Sequence, residues 1–336
     1  LKKNNLLFKK SEYFFTPKRL LFIYYDLKPA TNQISVKGPN INAPNAAIEG
    51  FAKSNSVDKD QLIRKDTNKG EYFFIEKKIS NTDIELILIK LLENNLIKIP
   101  WKKSMRWGTH KIKWARPLKN ILCIFSNKTI NFKIDNINSN NFFIDSSPLS
   151  KKNSKINSLY EYFRAIKNAE IEINQNLRRN IILAEGKKIA QSKNLKVFFE
   201  ENLLNEVVSL IEYPYMFLGE FNKDFLKLPS EILITSMKIN QKYFPLYFSN
   251  KKLSNYFLIV SNLKPMDSGK LIINGNQRVI NARLEDASFF WENDKSKNFN
   301  NETDKLEKVI FHNKLGSLKE KLKRMDNLSQ ILKEDI

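Results

Sequence analysis

Basic and aromatic side chains interleave over the fifteen positions from 102 to 116. Lys102, Lys103 and Arg106 supply cations, and Trp107 supplies a large ring beside them. Aromatic faces stack on unpaired bases while cations meet phosphates, so this pattern is typical of a surface that binds single-stranded RNA. The alternative is a loop whose tryptophans plug the edge of a sheet. The sequence leaves both interpretations open.

A second candidate site is a helix predicted over residues 276–292. Its apolar positions are spaced 4, 3 and 4 residues apart, which marks one helical face: Ile280, Leu284, Ala287 and Trp291. At about 100° per residue, Arg278 and Phe289 lie opposite this stripe, and Arg283 flanks it. The simplest interpretation is a core helix with a solvated outer face. The functional one is that Phe289 and Arg278 dock another domain, a subunit or RNA.

A third segment runs from Leu228 to Pro245 and reads as a helix that begins after Pro229 and stops before Pro245. Its polar end includes Lys242. This lysine is either part of a binding edge or an ordinary residue at the end of the helix.

Residues for catalysis are hard to find. The sequence has neither the phosphate-binding loop G-x-x-x-x-G-K-[ST] nor the dinucleotide motif G-x-G-x-x-G. Its two histidines and single cysteine cannot assemble a usual zinc site, and no G-x-S-x-G elbow is present. We therefore expect no catalytic residue, no metal site and no cofactor bound by this chain.

The bulk composition is that of a folded protein that does not span a membrane. Apolar residues make up 42% and aromatic residues 12% of the 336 positions, which is enough for a core. The net charge of +21 favours a polyanionic partner, although codon bias toward lysine is an alternative origin of that excess. Cys123 lies in an apolar run and reads as a buried small residue in a reducing compartment. Neither a membrane span nor a signal peptide is visible, so we expect a cytoplasmic protein, and the missing initiator Met suggests a fragment.

The elements that would position these residues are mixed. Strands are predicted at 20–25 (a buried one), 72–75, 213–218 and 256–260, and a hairpin at 120–134. Residues 28–50, with three prolines, read as a loop, and the Asn- and Ser-rich stretch 135–157 as a linker that cannot build a core. Helices are predicted within 158–200, at 276–292 and from Asp304 onward.

Strands and helices without regular βα alternation predict an α+β fold in two or more packed subdomains, not a doubly wound Rossmann sheet. The predicted domains are an α+β subdomain at 1–137, a mainly helical segment at 138–205, a second α+β subdomain at 206–302 and the start of a further helical domain at 303–336.

Taken in order, the motifs resemble the bacterial glycyl-tRNA synthetase β subunit family. The central ones are MRWG at 105–108, WARP at 114–117, LPSEILITSMK at 228–238, QKYFP at 241–245 and GNQRVINARLEDASFFWENDK at 275–295. The further matches are TPKRL at 16–20, KGP at 37–39, EGFAKS at 49–54, VSN at 260–262 and KLGS at 314–317. Together they span nearly the whole chain.

The resemblance implies a non-catalytic, tRNA-binding and assembly partner in an α2β2 glycine-tRNA ligase. A class II α subunit would carry the active site and use ATP with Mg, and the RNA would be tRNA(Gly). Family members are roughly twice as long. The family's Gly-His-Arg-Phe is replaced here by residues 140–143, Asn-Asn-Phe-Phe, and a family histidine by Asn240, so no catalytic residue is carried over. The alternatives are a stand-alone basic RNA-binding module and an editing hydrolase that acts on mischarged tRNA.

Overall fold

The computed structural model describes residues 1, 4, 6–30, 33–78, 81–145, 153–297 and 303–334. The chain divides into two compact units, Leu1–Asn174 and Gln175–Ile336. The finer division at 137, 205 and 302 stays a prediction.

Unit 1 is built from short sheets with helices against them. Its helices are α1 (Asn45–Ser54), α2 (Asn81–Leu96) and α3 (Leu159–Asn168). Its strands are β1 (Leu6–Leu7), β2 (Lys10–Thr16), β3 (Arg19–Tyr25), β4 (Lys28–Pro29), β5 (Gln33–Asn40), β6 (Ile63–Thr67), β7 (Gly70–Lys78), β8 (Ile121–Leu122), β9 (Ile124–Phe125), β10 (Lys128–Thr129), β11 (Lys133–Ile134), β12 (Ile137–Asn140), β13 (Phe142–Ile144) and β14 (Asn153–Lys155).

The predicted hairpin at 120–134 is confirmed in its inner part, whereas β8 and β11, at the outer ends of its two arms, both pair with β12 instead of with each other. Strands β9 and β10 pair antiparallel, and the two turn residues, Ser126 and Asn127, both have positive φ, which matches the twist of a tight hairpin. Beyond the turn, alternate residues Ile130, Phe132 and Ile134 are buried against α2. The thiol of Cys123 packs beside them, and burial raises its pKa to about 11, which keeps it protonated.

Three predictions for unit 1 are wrong in part. Residues 28–50 are not all loop, because β5 pairs with β7, and the register shifts between Lys37 and Asn40, where Pro39 has no N–H to give. Strand β3 exists, but Phe22 is 55% exposed, since β2 and β3 form a two-stranded ribbon with one open face. The Asn- and Ser-rich stretch supplies core after all, through Phe143 and Ile156.

Unit 2 is an antiparallel sheet covered on both faces. Its helices are α4 (Gln175–Ser192), α5 (Glu201–Leu210), α6 (Ser230–Thr235), α7 (Lys270–Ser296) and α8 (Leu318–Glu334). Its strands are β15 (Lys196–Val197), β16 (Tyr215–Glu220), β17 (Phe244–Tyr247), β18 (Leu253–Ser261), β19 (Ile310–His312) and β20 (Gly316–Ser317). The sheet order is β15-β17-β18-β16, and successive residues of β18 point to opposite faces.

The two faces of that sheet form two cores. Leu258 packs with residues of α4 and α5, whereas Phe257 and Ile259 pack with residues of α6 and α7. Helix α7 is attached to the second core by Ile280 and Leu284, both fully buried.

Two helix boundaries in unit 2 were predicted wrongly. Helix α7 begins at Lys270 rather than 276, and Gly275 lies inside it with open space where a Cβ would stand. The residue before the helix, Gly269, has φ +86, a conformation that glycine adopts without strain. The segment after Asp304 is not one helix, because the β19-β20 hairpin precedes α8.

The α+β prediction is confirmed, and the sheets are not of the Rossmann type. Among the described residues, no helix combines the length and the apolar character that crossing a bilayer would require.

Candidate RNA and subunit interfaces

The basic loop, residues 101–116, is folded back on itself in unit 1. The backbone N–H of Met105 donates to the carbonyl of Trp114 at 2.8 Å, and the N–H of Trp114 donates back to Met105 at 3.1 Å. The chain between them turns at Gly108, whose φ is +51. These two bonds give the loop the start of a hairpin, which brings its two basic arms together.

A single carboxylate fastens the far end of the basic loop. Asp135 Oδ2 accepts a hydrogen bond from the backbone N–H of Lys111 at 2.7 Å and lies 3.2 Å from His110 Nδ1. The N–H of Lys111, with smaller contributions from neighbouring donors including His110, holds the pKa of Asp135 below its ordinary value. Asp135 itself has φ +54, a backbone conformation that aspartate tolerates better than most residues.

The cations of the basic loop point to solvent. Lys102, Lys103 and Arg106 are exposed, and none of them belongs to an ion pair within the described residues. Four more cations are exposed on the second arm of the loop or just beyond it: Lys111, Lys113, Arg116 and Lys119. Unpaired exposed cations at this density are available to neutralise phosphates.

The tryptophans of the basic loop differ in role: two of them pack structurally, and one is available to an RNA base. Trp101 and Trp114 meet edge to face at 5.1 Å, which is the structural packing of the alternative interpretation. Trp107 lies half-buried with its ring 4.9 Å from that of His110. Only Trp107 therefore stays a candidate for stacking on a base.

Lys242, in unit 2, is less available to a partner because it already forms an ion pair. A π-helical turn, Ser236–Asn240, follows α6, and Lys242 lies two residues beyond its end with φ +61. Its Nζ lies 2.8 Å from Glu206 Oε1, and the neighbouring Lys238 is paired with Glu200 in the same way. Each of these two lysines therefore has a carboxylate partner within unit 2.

Helix α7 carries the remaining predicted residues. Arg278, Arg283 and Phe289 are exposed, as the wheel predicted, and Ile280 and Leu284 point inward. Trp291 was predicted on the buried stripe but is 37% exposed. The end of α7 carries its last turns away from the core, so the apolar spacing there no longer marks a buried face.

A polar contact ties the N-terminal part of α7 to the residue that precedes β17. Tyr243, next to Lys242, donates its hydroxyl to Asn276 Oδ1 at 2.6 Å. Burial raises the pKa of Tyr243 to about 12, so this donor stays protonated. Lys242, Arg278, Arg283 and Phe289 therefore share unit 2, while Lys102, Lys103, Arg106 and Trp107 share the basic loop of unit 1.

The sequence interpretation missed an acidic groove beside α7. One open hollow, of about 510 Å³, is lined by Phe225, Glu285, Ser288, Phe289, Glu292, Asn293 and Ser296. A second, of about 390 Å³, is lined by Glu220, Phe221, Asn222, Phe225, Gln277, Asn281 and Glu285. We call the two together the acidic groove, because they share Phe225 and Glu285. The positions 277, 281, 285, 289, 292 and 296 recur at helical spacing and could have revealed this face.

The two histidines of the chain contact a carboxylate and a backbone group. His110 faces Asp135, and His312 Nδ1 accepts from the backbone N–H of Lys314. Within the described part of the chain, neither imidazole is hydrogen-bonded to a serine, threonine or cysteine, and no cluster of metal-ligating residues occurs there.

Comparison with known proteins identifies the family. The family model described as "Glycyl-tRNA synthetase beta subunit" matches residues 1–336. Relatives named glycine–tRNA ligase beta subunit include those of Rickettsia bellii (strain OSU 85-389) and Rickettsia prowazekii (strain Madrid E). They are 36% and 35% identical over 333 residues, which cover 98% of this chain and 50% of each relative. That of Rickettsia felis is 36% identical over 325 residues, or 96% of this chain and 49% of its own length. The chain thus spans about half the length of these relatives, and it belongs to the glycyl-tRNA synthetase β subunit family.

Proposed function

We propose that this chain is the tRNA-binding and assembly part of a glycine-tRNA ligase β subunit. It acts with a class II α subunit, which uses ATP with Mg to attach glycine to tRNA(Gly), in an α2β2 assembly in the cytoplasm. The chain itself holds no ATP and no metal and makes no bond in the reaction. The family match over residues 1–336 is the observation that carries this proposal.

In this proposal the basic loop is the surface that meets the tRNA. Lys102, Lys103 and Arg106 would lie along phosphates, and Trp107 would stack on an unpaired base. Because Asp135 and the Met105–Trp114 pairing fix the loop in advance, binding would cost little ordering of the backbone. Lys242, Arg278, Arg283 and Phe289 are the candidates for the second task, assembly or further tRNA contact.

The decisive experiment is glycine charging of tRNA by three samples: the α subunit alone, the full-length β subunit alone, and both mixed. Charging only in the mixture is the expected result, because the proposal puts the reaction in α and a required tRNA contact in β. Charging by α alone would contradict the proposed need for β.

A second measurement separates the proposal from its alternatives. The β subunit should bind tRNA(Gly) with an affinity that falls steeply as salt rises, since neutralised phosphates release counterions. Equal affinity for every structured RNA, with no charging in the mixture, would indicate a general RNA-binding module. Release of an amino acid from charged tRNA by this chain alone would indicate an editing hydrolase.

A further inference from the structure

The C-terminal end of α7 exposes an unusual amount of aromatic surface. Phe289 is 68% exposed and Phe290 60%, and their rings meet edge to face at 5.6 Å. Trp291 beside them is 37% exposed. Three adjacent exposed rings at one end of a helix form an apolar patch of the kind that marks an interaction site.

The acidic groove lies next to this patch, and one of its walls is packed against the core of unit 2. Phe225 lines both hollows of the acidic groove, and its ring also packs against the core of unit 2. Phe289 lies on the opposite wall, on α7. An apolar side chain seated between these two rings would be held by a preformed surface on one side, which limits the entropy lost on binding.

The charge of the groove is opposite to that of the chain. Glu220, Glu285 and Glu292 line it, and no lysine or arginine does. Carboxylates in a protein of net charge +21 lower the local affinity for phosphates and raise it for cations. The groove is therefore a poor site for RNA.

Helix α7 separates its charges along its length, with cations in its N-terminal half and carboxylates in its C-terminal half. Residues 270–283 contain three cations and no carboxylate, whereas residues 284–296 contain four carboxylates and one lysine. A helix C-terminus carries partial negative charge and favours cations, so this order is the reverse of the favourable one. The unfavourable placement of the carboxylates agrees with a role outside the stability of the helix.

We propose that the acidic groove binds a cationic segment of the α subunit. In this arrangement an apolar side chain sits between Phe225 and Phe289, and lysine or arginine side chains meet Glu285 and Glu292. Those two carboxylates are seven residues apart, about 10 Å along the helix axis, so cations two helical turns apart on the incoming segment would match them. This inference rests on the proposed function for the identity of the partner, and it assigns Phe289 to assembly rather than to RNA.

The test measures association of the full-length β subunit with the α subunit of the same organism, by titration calorimetry at several salt concentrations. Phe289→Ala should weaken the association about tenfold or more, because truncation of an aromatic ring that contacts the partner typically has a large effect on affinity. The double variant Glu285→Gln with Glu292→Gln should weaken it about fivefold and flatten its salt dependence.

Matched controls exist on the same helix. Leu271 is 78% exposed and lies outside the groove, so Leu271→Ala should leave the association unchanged. Asp286 and Asp294 line neither hollow, so the double variant Asp286→Asn with Asp294→Asn controls for the loss of two carboxylates from the same helix. All variants should keep the melting temperature of the wild type, which excludes a general loss of folding.

The outcomes separate this inference from the proposed function. If the mixed wild-type subunits charge tRNA but the groove variants associate normally, the docking site is wrong and the proposed function stands. If Phe289→Ala weakens tRNA binding alone and the double glutamine variant strengthens it, the occupant is RNA and the inference is overturned. If the wild-type subunits do not associate, the docking site is also wrong, and the charging assay decides the proposed function separately.

Discussion

The basic loop of unit 1 and the end of α7 in unit 2 both present aromatic rings, but they surround those rings with opposite charges. Trp107 lies among exposed lysines and arginines, whereas Phe289 borders a groove lined by glutamates. An aromatic ring is a sequence-tolerant contact that suits a base or an apolar side chain equally well. The neighbouring charges therefore decide which partner each region fits.

The two regions also differ in how they are held in place. The basic loop depends on a few hydrogen bonds, chiefly those to Asp135 and between Met105 and Trp114. Helix α7 depends on apolar burial, with Ile280 and Leu284 fully enclosed in the core. Hydrogen bonds to a carboxylate weaken when low pH protonates it, whereas apolar packing weakens when a buried side chain is truncated. Different perturbations should therefore destabilise the two regions.

The largest expected effect separates the two faces of α7. Leu284→Ala should lower the free energy of unfolding by about 2–5 kcal/mol, because it leaves a cavity in a closed core. Phe289→Ala should change it by less than about 0.5 kcal/mol, since the ring is mostly in solvent. Urea denaturation of both variants measures the difference. Equal losses for the two would mean that Phe289 belongs to the core and that the comparison with Trp107 fails.

The next effect tests the charge of the basic loop. Replacing Lys102 and Lys103 with glutamine should weaken tRNA(Gly) binding by about tenfold at moderate salt. It should also reduce the slope of log affinity against log salt by about 2, roughly one unit for each phosphate that the variant no longer neutralises.

The chain offers a matched control for that pair. Lys187 and Lys188 are also adjacent and exposed, on α4. Their replacement with glutamine removes the same net charge, so it should leave the slope nearly unchanged. If both double variants lower the slope equally, tRNA responds only to net charge, and the basic loop has no special role.

Local patterns in the sequence predicted those parts of the fold that local physics determines. The tight turn at Ser126 and Asn127 and the buried positions Ile280 and Leu284 follow from spacing within one element. The pairing of β5 with β7 does not, because a strand interrupted by Pro39 is recognised only when its partner is known. Helix α7 was predicted too short for a similar reason, since Gly275 weakens a helix that tertiary contacts then stabilise.

Less of the candidate site than of the fold could be predicted from the sequence. The exposed positions of Lys102, Arg278 and Phe289 agree with the sequence interpretation. The ion pair of Lys242 with Glu206 joins residues 36 positions apart in the chain, and no periodicity reports such a contact. The acidic groove needs Phe225 and Glu220 to face α7, so its chemistry emerges only from the packing of separate elements.

An effect of comparable size distinguishes the tryptophans within the basic loop. Trp107→Ala should weaken tRNA binding by about 1–3 kcal/mol if its free face stacks on a base, with little change in stability. Trp101→Ala should instead lower stability, because its ring packs against Trp114 and leaves a gap there. Filter binding and thermal unfolding of both variants measure the two quantities. The opposite pattern would exchange the roles of the two rings.

The smallest expected effect concerns the pH dependence of the basic loop. The pKa of Asp135 is lowered in the folded state from its ordinary 3.8, chiefly by the N–H of Lys111. A lowered pKa means that the carboxylate stabilises the fold above pH 3.8 and that this stabilisation is lost as pH falls through the lowered value. Asp135→Asn keeps an oxygen that can accept from Lys111 but does not titrate. Wild type should therefore be the more stable protein at pH 7, and the difference should shrink below about pH 4.

Intrinsic fluorescence during thermal unfolding follows this region, because three of the four tryptophans, Trp101, Trp107 and Trp114, lie in the basic loop. Melting curves of wild type and Asp135→Asn at several pH values then give the difference in stability directly. A difference that stays constant from pH 7 to pH 3 would mean that the charge of Asp135 does not fasten the loop, and that the two regions are held by similar forces.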